Sequence, residues 1–396
     1  MPTTVERTWI GDLTAVGGRK DKRSFTYRAF IPERIADTDP EVTFESAESA
    51  LLAEIAIEKL NAHAGGAGLE AIGPLFLRSE AIASSRIEGY RTTSLNVARA
   101  LLDPAAARGA ARTIARNIAA MQNAIEVGER GELDVESLLA IHRTLMQDQP
   151  EATPGEFRAS QGWIGGRQTS PLGADYIPPP EDEVPGLIDD LADFMAREDI
   201  PPIAMAAIAH AQLETIHPFA DGNGRVGRCL IHAIFRRAGL TPFFVPPVSI
   251  VLAARPRSYI EGLIGFREGA IGPWVASFAQ AVNRAATEGV AMAKDVGDLR
   301  NAWFERSGWP RQGSSAARLL ALIPTSPILS AATASKAIEA SPQRTLDGLK
   351  RLEAADVLGQ ISRGTYDRQY AAHELFELVA RCEARIADVG GGQRPD

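Results

Sequence analysis

Two cysteines in 396 residues, Cys229 and Cys382, are too few for a disulfide framework or a cysteine-based zinc site. That scarcity fits a reducing compartment, and the cytoplasm is the expected location. Long hydrophobic runs are missing too, since every apolar stretch is too short or too interrupted to span a bilayer. Residues 1–23 carry charges of both signs and no continuous apolar segment, so no secretory signal is legible there. A surplus of positive charge is also lacking. The formal net charge of −8 argues against a general nucleic-acid binder, which must neutralise phosphates with Lys and Arg. What is present, 45% hydrophobic against 23% charged residues over a length sufficient for two or three domains, predicts ordinary globular units.

The first forty residues mix Gly, Pro and charge around one aromatic and β-branched stretch, Ser24 to Pro32, and predict an arm with little structure of its own. From Glu45 the spacing becomes helical: Ser46 can cap, Leu51, Leu52, Ile55, Ala56 and Leu60 recur on one face, and Gly65 and Gly66 end the run. Helices are expected at about Leu69 to Gly89 and Ser94 to Leu102, and long helices dominate through Ala285. One interruption, between Pro150 and Pro185, spaces Phe157, Trp163, Ile164, Tyr176 and Ile177 among Gly165, Gly166, Gly173 and Pro178 to Pro180, which predicts a β-hairpin flap. After Asn301 come a leucine-rich helix, a helix near Ser330 to Ala340 and another opened by Ser341-Pro342 and running through Leu358. A β-like stretch follows to Ala371. The order predicts a winged helix. Residues 312–385 hold nine Lys or Arg against eight Asp or Glu, a net +1, so charge does not support DNA binding; a structural or dimerising role fits equally well.

The stretch that carries chemistry is His217-Pro218-Phe219-Ala220-Asp221-Gly222-Asn223-Gly224-Arg225-Val226-Gly227-Arg228. Apolar residues before it and after it predict helix, loop, helix. A glycine-flanked turn feeding a helix N-terminus offers backbone N–H groups and the positive dipole end to phosphate oxygens. Arg225 and Arg228, three apart, can reach a polyphosphate from one side. Asp221 supplies the carboxylate oxygen that Mg²⁺ prefers, and His217 is suited to accept a proton near neutral pH.

These residues resemble the signature of Fic-domain proteins, His-x-Phe-x-Asp-Gly-Asn-Gly-Arg-x-x-Arg, at every specified position. The resemblance implies an all-helical core and transfer of AMP from Mg-ATP to a Ser, Thr or Tyr hydroxyl of a target protein. It implies His217 as base, Asp221 as metal ligand, Gly222, Asn223, Gly224 and Arg225 at the phosphates, and Arg228 on the γ-phosphate. Ser84-Ser85-Arg86-Ile87-Glu88-Gly89 resembles the family's inhibitory helix, in which the residue matching Glu88 pairs with the arginine matching Arg228 and keeps the γ-phosphate out. Some family members also remove AMP. The flap resembles the family hairpin that aligns a target segment by strand addition, placing Ile164, Gly165 and Gly166 near the nucleotide, and Tyr259 resembles a position near adenine. The chain would then be mainly α: an arm and helices including the inhibitory one (1–95), a Fic-type core (96–300) with a flap at about 155–180, a winged helix (301–387) and a disordered tail (388–396). A homodimer is compatible with it.

Two rival readings use other features. His210, Glu214 and His217 share one helical face at i, i+4 and i+7 and could ligate zinc in a hydrolase, which leaves Gly222 to Arg228 unused. Alternatively the winged helix binds DNA and the nucleotide site acts as a sensor. His63, His142, His232 and His373 have no sequence partners and read as surface or satisfied core residues; Trp274, Trp303 and Trp309 read as packing residues.

Overall fold

Helix spacing in the sequence becomes a mainly α molecule. The computed structural model describes residues 2–11, 23–40, 42–64, 72–167, 169–362 and 368–388. In chain order the elements are β1 (Thr3–Trp9), β2 (Phe25–Ile31), α1 (Phe44–Ala64), α2 (Gly73–Ile87), α3 (Ser94–Leu102), α4 (Gly109–Arg130) and α5 (Val135–Met146). Then come α6 (Val184–Ala196), α7 (Pro202–Ile216), α8 (Asn223–Arg237), α9 (Val248–Ala254), α10 (Pro256–Arg267) and α11 (Ile271–Arg306). The C-terminal part holds α12 (Ser315–Leu322), β3 (Ile328–Ser330), α13 (Ala331–Ala337), α14 (Pro342–Ala354), β4 (Gly359–Gln360), β5 (Gln369–Ala371) and α15 (His373–Ala387). No helix among the described residues is long and apolar enough to cross a membrane.

Two compact units emerge, the first made of Met1–Ala50, Ala119–Ala238 and Arg257–Ala279, the second of Leu51–Ile118, Gly239–Pro256 and Gln280–Asp396. At the centre of the first lies α7, every residue of which is buried except Pro202 and Glu214. A helix apolar on all sides belongs inside a core, and α6 and α8 pack against it while α5 packs on α6 and α8. The approach of α8 to α7 depends on Gly227, where a Cβ would stand 2.7 Å from His210 Nδ1.

The arm expected to lack structure is instead a two-stranded antiparallel sheet, paired from Thr3 with Ile31 to Trp9 with Phe25. Only β2 showed in the sequence as an aromatic and β-branched run, and its partner precedes it by more than a tight-turn length. In the flap the pairing is short: the described residues of 155–180 hold a single antiparallel bridge, Ile164 with Tyr176. Gly165, Gly166 and Gly173 take φ of 75°, 67° and 75°, outside the strand region, and the prolines at 178–180 have no N–H for a ladder. β2 reaches this segment, Phe30 N–H donating to Ile177 O at 2.9 Å, and Trp9 packs edge-on against Trp163 with centroids 5.6 Å apart.

In the second unit α2 is held by its neighbours. The Glu80 carboxylate accepts from the Ser249 N–H at 2.7 Å and from the Ser249 hydroxyl, at the start of α9. The Asn117 amide donates to Ala81 O at 3.0 Å and Ser85 Oγ at 3.1 Å. α12 to α15 with β3 to β5 follow the order helix, strand, helix, helix, strand, strand, helix, and the sheet order is β3-β5-β4, antiparallel throughout. Ser314, Ser330 and Ser341 cap α12, α13 and α14. α14 stops at Ala354 rather than continuing to Leu358, and residues 363–367 of the expected wing, like the tail from Val389, lie outside the described residues. So do Gly65 and Gly66. Trp303 is buried and donates its indole N–H to Glu374 at 2.7 Å, a packing role as expected. The cap expected at Ser46 falls to Thr43, whose Oγ1 accepts from the Ser46 N–H at 3.2 Å. α11 carries helix past Asn301 to Arg306.

Candidate functional site

The turn between α7 and α8 begins and ends in the left-handed region. His217, the residue at which α7 stops, has φ 50° and ψ 59° with its N–H on Leu213 O at 2.8 Å, and Gly222, which precedes α8, has φ 86° and ψ 1°. A Cβ at Gly222 would meet Met146 Sδ at 3.1 Å and Leu145 Cδ2 at 3.2 Å, so both conformation and space require glycine. Two reversals within six residues bring the imidazole-bearing residue to the open N-terminus of α8, where unpaired N–H groups favour an anion. His217 is half-buried. It lines a cavity of about 560 Å³ together with Gly165, Gly166, Trp163, Arg158 and Phe219. Gly165 and Gly166, expected near the nucleotide with Ile164, share this cavity with His217, whereas Ile164 contributes the bridge to Tyr176.

Asn223 sits at the first position of α8, and its side chain is turned into the turn rather than outward. Oδ1 accepts from the Phe219 N–H at 2.8 Å and Nδ2 donates to Phe219 O at 2.9 Å, a two-point brace across the loop. Asp221 keeps a half-exposed carboxylate whose Oδ1 accepts from the Gly222 N–H at 2.6 Å and lies 3.4 Å from Arg225 Nη2. A single carboxylate with room for phosphate oxygens beside it is a donor set that suits Mg²⁺, which commonly takes one or two protein carboxylates and fills its shell with phosphate and water. Arg225 is buried beneath the turn, with Met146 Sδ 3.8 Å from Nη2. Arg228 is buried as well, with Nη1 3.5 Å from Tyr259 Oη.

Tyr259, expected near adenine, is buried in this group: its hydroxyl is 2.8 Å from His210 Nε2, and the two rings stack at 13°. His210 is thereby removed from the zinc face. His217 leaves the helix in the left-handed conformation, which breaks the i, i+4, i+7 register that the zinc reading needs. Among the described residues no three His, Cys, Asp or Glu side chains are grouped to hold a metal ion. Burial first, and then the nearby Arg228 charge, lowers the His210 pKa to about 3. The imidazole is thus neutral in the fold and gains a proton on unfolding below its ordinary value. Stability from this group is present above pH ~6.5 and is lost as pH falls toward 3. Between pH 7 and pH 5 the loss should be about 2 kcal/mol. Urea unfolding at the two pH values, on the protein and on His210→Gln, should show a smaller pH difference in the variant; equal differences would remove the assignment.

Two residues that sequence reasoning left aside bear on the turn. His142 on α5 accepts the Gly155 N–H at Nδ1, 3.0 Å, so its Nε2 carries the proton and donates to Asp221 O at 3.1 Å. Its ring lies parallel to Phe219 with centroids 3.9 Å apart, and burial lowers its pKa to about 4. The available signal was position: His142 falls four residues after Leu138 on the buried stripe of an amphipathic helix. The other is Arg158, whose Nε donates to His217 O at 2.9 Å. Its signal was a lone arginine after Pro154-Gly155-Glu156-Phe157 at the mouth of the flap.

Ser84 and Glu88 belong to α2 in the second unit. Ser84 is fully buried, and Glu88 is the exposed residue at which the helix stops, followed by Gly89 at φ 85°.

Comparison with known proteins gives concordant results. Residues 132–235 match the Fic/DOC family model, and residues 70–126 match the model of the Fic/DOC family N-terminal region. A protein adenylyltransferase Fic of Culex quinquefasciatus is 32% identical over 165 residues, 41% of this chain and 30% of that protein. One from Nematostella vectensis is 27% identical over 211 residues, 51% of this chain and 46% of that protein. The chain thus spans less than half the length of these curated relatives. The crystal structure of a Fic family protein from Desulfovibrio desulfuricans G20 aligns with TM-score 0.54 at 22% identity, covering 90% of this chain and 100% of that one. A Fic domain containing signaling protein from Bacteroides thetaiotaomicron aligns with TM-score 0.50 at 17% identity, covering 61% and 97%. Both likenesses are of fold.

Proposed function

We propose that this chain, which carries a Fic/DOC family domain preceded by the family's N-terminal region, is a protein adenylyltransferase that moves AMP from ATP to a Ser, Thr or Tyr hydroxyl of a target protein. The observation that carries the reading is the turn from His217 to Gly222. It sets an imidazole and the open N-terminus of α8 on one loop, beside a cavity that flap glycines also line. In the reaction the target oxygen attacks the α-phosphorus of ATP in line, forming the new P–O bond as the bond to the β-phosphate oxygen breaks. His217 accepts the hydroxyl proton, and pyrophosphate departs against the loop amides and the two buried arginines, Arg225 and Arg228. Asp221 would hold Mg²⁺, which when bound neutralises phosphate charge. The protein's own contribution is aim and exclusion: the braced turn holds proton acceptor and anion donors in fixed relation before substrate arrives.

The core would be residues 96–300, with 1–95 as arm and helices and 301–387 as a winged helix. Glu88 would restrain the enzyme by presenting a carboxylate where the γ-phosphate must lie against Arg228, and the same glutamate would orient water for removal of AMP. In support, Glu88 ends α2 as an exposed residue, while Ser85 and Glu80 are tied down about one and two turns earlier. Glu88→Gly should raise AMP transfer, including self-modification, by about 10-fold or more, the scale of removing one charged competitor worth ~1.4 kcal/mol. Intact-mass spectrometry of Glu88→Gly after incubation with Mg²⁺ and each nucleoside triphosphate tests donor and reaction together. An added AMP mass from ATP is expected. An unmodified mass with every triphosphate, with target proteins also unlabelled, would remove the reading.

A further inference from the structure

The loop segment that precedes and forms the flap is connected to the catalytic turn by one side chain. Arg158 is 5% exposed, and its guanidinium is spent on backbone carbonyls: Nε on His217 O at 2.9 Å, Nη1 on Ser160 O at 2.9 Å, and Nη2 on Pro179 O. Its own backbone N–H donates to Pro218 O at 2.9 Å. Burying a guanidinium is costly, and here the burial lowers its pKa. Packing alone does not require a charged group in this place; a planar fork with donors in three directions does. The three acceptors are informative as a set. Ser160 and Pro179 are the two stems of the flap, on either side of the Ile164–Tyr176 bridge, and the third is the carbonyl of the residue that carries the imidazole. The flap is pinned at its far stem by Tyr176, whose hydroxyl donates to Thr215 O at 2.7 Å while Arg267 lies over its ring at 3.9 Å. Hence displacement of either stem bears on His217, which stands at a positive φ where α7 stops.

We propose that Arg158 is a positioning residue that fastens both stems of the flap to the backbone of His217, so that seating a target segment on the flap and aiming the imidazole are one mechanical event. This rests on the transferase reading for its consequence in rate, but the fastening itself is testable without activity. Arg158→Lys keeps the charge and loses the fork. It should leave the KM for ATP within about twofold while lowering kcat for target transfer by about tenfold or more, since a misaimed group costs rate rather than ground-state binding. In Arg158→Ala, millimolar guanidinium ion should restore part of that kcat and methylammonium should not. Hydrogen exchange by mass spectrometry on unliganded protein should speed by about tenfold in peptides covering 158–180 and 217–223 of Arg158→Lys, with α12 to α15 unchanged. Should Arg158→Ala not fold, the lysine variant carries the test. Unchanged exchange in both peptides overturns the proposal, as does a loss of rate confined to KM for ATP. If the Glu88→Gly protein transfers no nucleotide, the transferase reading falls and the exchange experiment still decides whether Arg158 fastens the turn.

Discussion

His217→Asn should fold like the parent protein and yet lose AMP transfer by about 10² to 10⁴-fold, the range that a positioned general base contributes. Asparagine is the informative replacement because His217 sits at φ 50°, ψ 59°. An alanine there would add backbone strain of about 1–2 kcal/mol, mixing a folding effect with the chemical one, whereas asparagine tolerates the left-handed region. The variant retains the backbone carbonyl that Arg158 holds and the N–H that closes α7 on Leu213. What it lacks is a group able to accept a proton near neutral pH. Nucleotide binding should be nearly preserved, since in the proposed reaction the anion donors are the amides at the start of α8 together with Arg225 and Arg228 rather than the imidazole. The measurement is transfer of radiolabelled AMP in the Glu88→Gly background, alongside ATP affinity by calorimetry. Wild-type-like transfer by His217→Asn would end the assignment of His217 as base; loss of ATP affinity with loss of transfer would reassign it to binding.

Why the turn from His217 to Gly222 was legible, and the residues that hold it were not, follows from how each is encoded. Helix, loop and helix could be read because apolar runs flank a dense cluster of Gly, Asp and Asn, and every chemical group of the turn lies within twelve consecutive residues. The start of α3 at Ser94 could be read for the same local reason. Arg158 and His142 lie 59 and 79 residues from the backbone groups they bond, and the helical stripe that marks His142 as buried does not say what it bonds. Their roles exist only once α5 and the flap stems stand beside the turn. The β1–β2 hairpin was hidden in the same way, because strand pairing joins Thr3–Trp9 to residues well beyond a tight turn and leaves no local period in the intervening chain. In the flap the strands pair over a shorter length than the residue pattern suggests. Alternating aromatic and β-branched residues suggested paired strands, but the glycines among them adopt positive φ and leave one bridge. Tyr259 adds contacts of the same distant kind: its hydroxyl lies 2.8 Å from Nε2 of the buried His210 and 3.5 Å from Arg228 Nη1, pairings between different helices that no local pattern announces.

Asn223→Ala should be as damaging to transfer as loss of the imidazole, although Asn223 need not touch a phosphate. Both ends of its amide are engaged with Phe219, accepting the N–H at 2.8 Å and donating to the carbonyl at 2.9 Å. Removing the side chain leaves a buried donor and a buried acceptor without partners, each at a cost of about 1–3 kcal/mol. The turn has an inexpensive way to relieve this, which is to open toward water, and opening carries the imidazole at one end away from the anion site at the other. A fall of about 10²-fold or more in kcat is expected, with a drop in melting temperature of several degrees, roughly 4 °C or more for a change of this size. Asn223→Asp separates the two bonds. A carboxylate can still accept from the Phe219 N–H but faces the Phe219 carbonyl with no proton to donate, and it adds negative charge at the mouth of a phosphate site. It should therefore be no better than alanine in kcat and worse in ATP affinity. Asn223→Ala with wild-type kcat would show that the turn keeps its shape without the brace, and the preorganisation from which the proposed chemistry follows would have to come from elsewhere.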